Sequence, residues 1–173
     1  MKNVSTIHNC YGCGVCAVSC GKKIINIRLN EDGFYAPYID EPEKCMECGI
    51  CLDVCAFNHK ERALKPEEVQ IKSWAAWSND EAVRRKCSSG GIGFEIGKQL
   101  IEQGFHAVGC RYDINEQRAE HYIATTVEEF VQSIGSKYIQ SYTEEAFKLI
   151  KRKGQKYLII GTPCQIDSFR RMI

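Results

Sequence analysis

Apolar positions along the chain predict several short helices. One helix is predicted over Gly91–Gln103. Its apolar residues Ile92, Ile96 and Leu100 recur at every fourth position and define one face. The stretch Thr126–Glu129 has the Thr-x-x-Glu spacing of a capping box and opens a second predicted helix. Two more helices are predicted at 144–152 and over the last residues of the chain.

Short apolar stretches bounded by turn residues predict the strands. In the first third of the chain, Lys23–Leu29 predicts a strand and Glu31–Gly33 a turn. The remaining predicted strands are Ser73–Ser78, Phe105–Tyr112, His121–Ala124 and Tyr157–Ile160, the last as a buried parallel strand. Trp74 and Trp77 are predicted to be core residues of their strand. Because strands and helices alternate over 71–173, this region is predicted to be an α/β domain with a largely parallel sheet.

The composition is that of an ordinary globular protein. The chain is 44% hydrophobic and 26% charged, with a formal net charge of +1. A net charge so close to zero gives no argument for binding nucleic acid or an anionic membrane surface. No apolar run approaches the ~20 residues of a membrane span, and the stretch 1–9 lacks the apolar centre of a secretion signal. We therefore predict a cytoplasmic protein.

Cysteine is the unusual component, with 11 in 173 residues. Eight of them fall in two copies of the same spacing, Cys-x2-Cys-x2-Cys-x3-Cys. These candidate metal ligands are Cys10, Cys13, Cys16 and Cys20 in the first copy and Cys45, Cys48, Cys51 and Cys55 in the second. In the absence of a secretion signal, such a density indicates metal binding rather than disulfides.

This spacing is typical of two [4Fe–4S] clusters. Three cysteines of one copy hold one cluster, and the fourth serves the other cluster. The predicted ligand sets are Cys10, Cys13, Cys16 and Cys55 for the first cluster and Cys20, Cys45, Cys48 and Cys51 for the second. Gly12, Gly14 and Gly49 keep the ligand loops small. A zinc knuckle is the alternative, although zinc usually takes two Cys-x2-Cys pairs.

The first 60 residues resemble bacterial two-cluster ferredoxins. The usual proline after the fourth cysteine is Gly21 in one copy and Ala56 in the other, which predicts altered local packing rather than a lost cluster. A charged stretch with Pro66 predicts a linker at 61–70. The predicted fold is thus an α+β ferredoxin-like domain over 1–60, followed by the α/β domain over 71–173.

Three strings in the second domain are candidates for cofactor binding: Lys86–Gly91, Gly135–Tyr138 and Gly161–Gln165. Serine and glycine at the start of a helix suit a phosphate, but they also serve as a plain helix cap. The string after the last predicted strand lies where α/β sheets bind ligands, yet a simple strand-to-helix turn explains it equally well.

Together and in this order, the three strings resemble the β subunit family of coenzyme F420 hydrogenases and dehydrogenases. The resemblance implies an iron–sulfur flavoprotein oxidoreductase that passes electrons between its clusters and FAD. The residues that it places around the flavin or its substrate are Ser89, Gly90, Gly91, Ser136, Lys137, Thr162 and Gln165. It also implies a redox partner protein or soluble electron carrier, and a deazaflavin or another small molecule as substrate. Because family members are considerably longer, we expect a C-terminally truncated member with an incomplete second domain.

The sequence leaves two questions open. A ferredoxin-like electron relay for a partner oxidoreductase, without an active site of its own, is the alternative function, and no catalytic residue is assigned. Cys110 is predicted to be a buried apolar residue. Cys164, at the start of the last helix, is a candidate redox-active thiol or ligand of another cluster, and Cys87 is a weaker one.

Overall fold

The computed structural model describes residues 3–7, 10–59, 61, 72–150 and 154–173. The chain divides into two compact units. The first draws on Met1–Lys65, Gln140–Ile150 and Gly161–Ile173, and the second on Pro66–Ile139 and Lys151–Ile160. Apart from Glu61, the predicted linker 61–70 lies outside the described residues, so the proposed domain boundaries stay a prediction.

Most of the described elements are short. The helices are α1 (Val15–Ser19), α2 (Ile50–Asp53), α3 (Glu81–Lys86), α4 (Ile92–Glu102), α5 (Val127–Phe130), α6 (Glu144–Lys148) and α7 (Pro163–Met172). The strands are β1 (Ile25–Leu29), β2 (Tyr35–Ile39), β3 (His106–Asp113), β4 (Arg118–Ala124), β5 (Ser141–Tyr142) and β6 (Tyr157–Ile159). Short 3-10 helices lie at Val4–Thr6, Pro42–Lys44, Ala56–Asn58 and Val131–Ser133. Within the described part of the chain, no helix has the length and apolar character needed to cross a membrane.

A β-hairpin and two cysteine-bearing helices form the N-terminal part of the first unit. Strands β1 and β2 are antiparallel, with Ile27 opposite Pro37. The Asn30 side chain closes the hairpin because its Oδ1 accepts hydrogen bonds from the backbone N–H groups of Asp32 and Phe34. The predicted first strand and the predicted turn are therefore confirmed. Buried side chains from the N-terminus, α1 and β1 form the core, among them Val4, Val15, Ala17, Ile24, Ile25 and Ile27.

Later parts of the chain complete this unit. Phe147 of α6 and Phe169 of α7 are buried and meet edge to face, with ring centroids 4.7 Å apart. The carboxylate of Glu144 accepts a hydrogen bond from the backbone N–H of Ile27, which ties α6 to strand β1. The predicted helix over 144–152 is confirmed as the shorter α6, and its positions 151 and 152 lie outside the described residues. The helix predicted at the end of the chain is confirmed as α7.

The sheet of the second unit is mixed. Strand β3 runs parallel to β6 but antiparallel to β4. Strands β3, β4 and β6 confirm three of the predicted strands, and β6 is parallel as expected, but the prediction of a largely parallel sheet is wrong. The cause is a tight turn after β3, where Oδ1 of Asp113 accepts from the N–H groups of Asn115 and Glu116. So short a connection can join only antiparallel strands.

Helix α4 is confirmed, but it buries a different face from the one that its isoleucines suggest. The buried residues are Phe94, Gly97 and Ile101, whereas Ile96 is exposed. The rings of Phe94 and Phe130 stack with centroids 5.6 Å apart. A Cβ on Gly97 would lie 2.1 Å from the Phe130 ring, so the helix can approach this ring only because position 97 has no side chain.

The strand predicted at Ser73–Ser78 is wrong. The stretch is not a strand in the structure, and Trp74 and Trp77 are 83% and 57% exposed, so they are not core residues. At the end of the stretch, the backbone N–H of Ser78 donates to the Gly90 carbonyl at 2.6 Å. Strand-forming side chains do not make a strand where no neighbouring strand lies alongside.

Candidate metal centres

The first predicted ligand set comes together at the start of helix α1. Cys16 lies on α1 and is buried, and its thiol is close enough to those of Cys10, Cys13 and Cys55 for their charges to interact, with a smaller contribution from Cys51 of the second set. Burial raises the pKa of the Cys13 thiol to about 11, and it raises the pKa of Cys16 as well. Thiols in such surroundings are protonated and unreactive until a metal displaces the proton.

Backbone N–H groups point at these sulfurs. The N–H of Gly12 donates to Cys10 Sγ at 3.2 Å, and the N–H of Val15 hydrogen-bonds Cys13. Gly14 caps α1 in the left-handed conformation, with φ of 80°. A Cβ at this position would lie 2.1 Å from the hydroxyl of the buried Thr143. The loop can therefore wrap its cysteines this tightly only with glycine there.

The second predicted ligand set lines one cavity of about 300 Å³. Its cysteines are Cys20, Cys45, Cys48 and Cys51. The other lining residues, mostly apolar, are Asn3, Gly21, Lys22, Ile24, Ile25, Ile39, Met46, Gly49 and Ile50. Burial raises the pKa of the Cys51 thiol, with smaller contributions from the charges of Cys48 and Cys20. The Asn3 side-chain amide donates to Cys45 Sγ at 3.5 Å.

Four thiols around one apolar cavity fit a cuboidal cluster, in which each of four irons takes one thiolate. A single zinc ion instead draws its sulfur ligands to within about 2.3 Å of one point.

Helix α7 brings two side chains to the first ligand set that belong to neither cysteine copy. Cys164 lies close enough to Cys10 and Cys13 for charge interaction. One turn further along, the Ser168 hydroxyl lies 3.7 Å from Cys13 Sγ. Ser168 was not among the predicted site residues. The only signal in the sequence is that positions 164 and 168 share one face of a helix, which becomes informative only when the position of α7 is known.

The proposed flavin residues fall into both units. Ser89, Gly90, Gly91, Ser136 and Lys137 lie in the second unit, and Thr162 and Gln165 lie in the first. Two of the strings meet in the second unit, because the Ser136 N–H donates to the hydroxyl of Ser88 at 2.8 Å. Ser89 is exposed beside this contact, and Gly91 caps α4 in the left-handed conformation with φ of 82°.

Several of these residues already have internal partners. The ammonium of Lys137 donates to the carbonyls of Gln132, Ile134 and Gly135 at 3.0–3.1 Å, and its partial burial lowers its pKa. Gln165 is buried, and its Oε1 accepts from the Thr162 N–H at 2.7 Å at the start of α7. The strand-to-helix turn envisaged as the simpler explanation of this string is thus present.

The remaining cysteines lie in the second unit. Cys87 follows the last turn of α3 and is half-buried. Cys110 on β3 is also half-buried rather than fully buried, and its thiol contacts the Arg111 carbonyl at 3.9 Å.

Comparison with known families assigns both regions. Residues 9–59, which contain all eight repeated cysteines, match the 4Fe-4S dicluster domain. This match supports iron–sulfur clusters as the cofactor, and the class is that of iron–sulfur electron-transfer proteins. Residues 73–148 match the N-terminal domain of the coenzyme F420 hydrogenase/dehydrogenase beta subunit. Both matches agree with the resemblance that the motifs indicated. No curated protein matches the sequence at a significant level.

Proposed function

We propose that the chain is an iron–sulfur flavoprotein oxidoreductase that moves electrons between two [4Fe–4S] clusters and FAD, and on to a substrate or redox partner. The observation that carries this proposal is that all eight repeated cysteines lie in the region that matches the dicluster domain, with Cys20, Cys45, Cys48 and Cys51 around one cavity, next in sequence to the region that matches the beta subunit domain. Each set draws three cysteines from one copy and one from the other, as two clusters require.

The described residues support this role in three ways. Burial of Cys16 and Cys51 keeps water from these two ligand sulfurs. Backbone N–H groups and the Asn3 amide donate hydrogen bonds to sulfur, which stabilises the negative charge that an added electron brings. In the second unit, the Ser88–Ser136 hydrogen bond holds two of the proposed flavin strings side by side. A bound flavin would accept two electrons together and release them singly to the clusters.

The second candidate function is an electron relay without an active site. The observation in its favour is that two of the proposed flavin side chains are already engaged. Lys137 donates to three backbone carbonyls, and Gln165 caps α7. In this case the chain would exchange electrons with a partner oxidoreductase or a soluble carrier through its clusters alone.

The deciding experiment measures iron, acid-labile sulfide and FAD per chain after anaerobic purification. About eight irons with one FAD support the flavoprotein, since two four-iron clusters account for that iron. The same iron without flavin, even when FAD is added, supports the relay and contradicts the flavoprotein. Cys13→Ala and Cys48→Ala should each lower the iron content, because they remove one ligand from different sets. Cys110→Ala is the matched control and should retain all of it.

A further inference from the structure

Ser168 on helix α7 is fully buried and lies between two parts of the first ligand set. Its hydroxyl oxygen is 3.7 Å from Cys13 Sγ and 3.0 Å from the backbone nitrogen of Ala56. Ala56 directly follows Cys55, the cysteine that the second copy contributes to the same set. One side chain from the end of the chain therefore contacts both cysteine copies around the first centre.

These contacts fix the direction of the hydrogen bond once Cys13 has become a metal ligand. The Ala56 N–H can only donate, so the Ser168 oxygen accepts from it. A ligating cysteine is a thiolate and has lost its proton. Between Ser168 and Cys13 the serine hydroxyl is then the only possible donor, and the bond becomes charge-assisted.

The Ala56 N–H exists because alanine stands where the dicluster motif usually has proline. Proline has no backbone N–H and could not donate to Ser168. The departure from the motif at position 56 therefore supplies a backbone donor. This donor holds the Ser168 hydroxyl in place.

We propose that Ser168 tunes the first cluster by donating a hydrogen bond to the sulfur of Cys13, oriented by the N–H of Ala56. A donor at a ligand sulfur stabilises the reduced cluster, which carries one more negative charge, and so raises its reduction potential. Ser168 is a positioning and tuning residue and not an iron ligand. This inference rests on the proposed assignment of Cys10, Cys13, Cys16 and Cys55 to one cluster.

The test is a redox titration of the anaerobically purified full chain, followed by electron paramagnetic resonance. Ser168→Ala should shift one of the two couples to a more negative potential and leave the other unchanged. Ser168→Thr keeps the hydroxyl and should stay close to the wild-type potential. Ala56→Pro keeps the serine but removes the orienting N–H, so it should shift the same couple in the same direction by a smaller amount.

The second cluster provides the internal control. Asn3→Asp removes the amide that donates to Cys45, so its effect should fall on the couple that Ser168→Ala leaves unchanged. If Ser168→Ala loses iron, its potentials cannot be compared with those of the wild type. Ser168→Cys keeps a weak donor of similar size and must then shift the first couple to a more negative potential.

The proposal is overturned if Ser168→Ala or Ser168→Cys retains full iron with both couples unchanged, or if Ser168→Thr shifts as far as Ser168→Ala. Wild-type protein without any cluster would overturn the proposed function itself, so the two failures are distinguishable.

Discussion

The side-chain amide of Gln140 pairs with both backbone groups of Tyr35, as a neighbouring strand would. Its Oε1 accepts from the Tyr35 N–H at 2.6 Å, and its Nε2 donates to the Tyr35 carbonyl at 3.1 Å. The same Nε2 also donates to the carbonyl of Tyr11 at 3.1 Å. Tyr11 follows Cys10, so one amide joins the hairpin to the first cysteine loop. A Cβ on Gly12 would lie only 2.1 Å from this nitrogen.

Replacing Gln140 should therefore weaken the first unit. Gln140→Ala leaves the Tyr35 N–H and two carbonyls without these partners, at a cost of about 1–3 kcal/mol. The expected results are a lower melting temperature by circular dichroism under argon and faster iron release to a chelator. Gln140→Glu keeps the acceptor for Tyr35 but loses the donor, and it should fall between alanine and wild type. Unchanged melting and iron release in Gln140→Ala would contradict this role.

Gly14→Ala should abolish or strongly reduce iron binding at the first centre. The new Cβ would lie 2.1 Å from the Thr143 hydroxyl oxygen, and the alanine would have to adopt a φ of 80°. Two other glycines separate these effects. Gly33 has a similar φ but open space, so Gly33→Ala tests the backbone strain alone, while Gly21→Ala has neither problem and should be neutral. Iron content per chain is the measurement, and full iron in Gly14→Ala would show that the loop is not so tightly held.

Two glycines on helix α4 should respond in opposite directions to alanine. Gly97→Ala places a Cβ into the Phe130 ring and should destabilise the second unit by about 1–3 kcal/mol through overpacking. Gly93 faces open space, so Gly93→Ala should stabilise the helix by about 0.5–1 kcal/mol. Melting temperature measures both. Equal effects of the two substitutions would mean that the contact with Phe130 does not limit this packing.

His121 should make the second unit less stable in mild acid. Burial lowers the pKa of His121 from 6.5 to about 4, so the folded chain holds it neutral. Below pH 6.5 the unfolded chain binds a proton that the folded chain does not. The contribution is therefore complete above pH 6.5 and declines as the pH falls toward 4. Between pH 7 and pH 5 the loss should be about 2 kcal/mol.

Urea unfolding at these two pH values, compared between wild type and His121→Gln, measures the effect. The variant cannot take up this proton, so its stability should change less between pH 7 and pH 5. Parallel losses in both proteins would assign the acid sensitivity to other groups.

The sequence predicted what depends on local spacing. The cysteine repeat predicted an iron–sulfur domain, which the dicluster match supports. The capping box at Thr126 and Glu129 is also present, with Glu129 N donating to Thr126 Oγ1 at 3.2 Å. Contacts between distant residues could not be anticipated. Ser168 and Gln140 have ordinary sequence surroundings, and their importance comes from partners more than a hundred residues away.

The errors have a related cause. Local pattern alone favoured the stripe of Ile92, Ile96 and Leu100 on α4, but a glycine at position 97 sets which face can approach Phe130. In the same way, Trp74 and Trp77 were expected in the core of a strand, but both are exposed. Whether a neighbouring strand lies alongside a segment cannot be read from the sequence of that segment. The flavin residues remain a prediction, since their assignment depends on family resemblance rather than on a contact.

The first unit also has consequences for how the protein is made. Its cysteine loops leave the ribosome early, but 155 residues separate Cys13 from Ser168, which lies against it. At elongation rates of about 5–20 residues per second, this separation corresponds to roughly 8 to 30 seconds of synthesis. During that interval the first cysteines are translated but lack the helix that later covers them. The contact between Ser168 and Cys13 can therefore form only after the rest of the chain has been made.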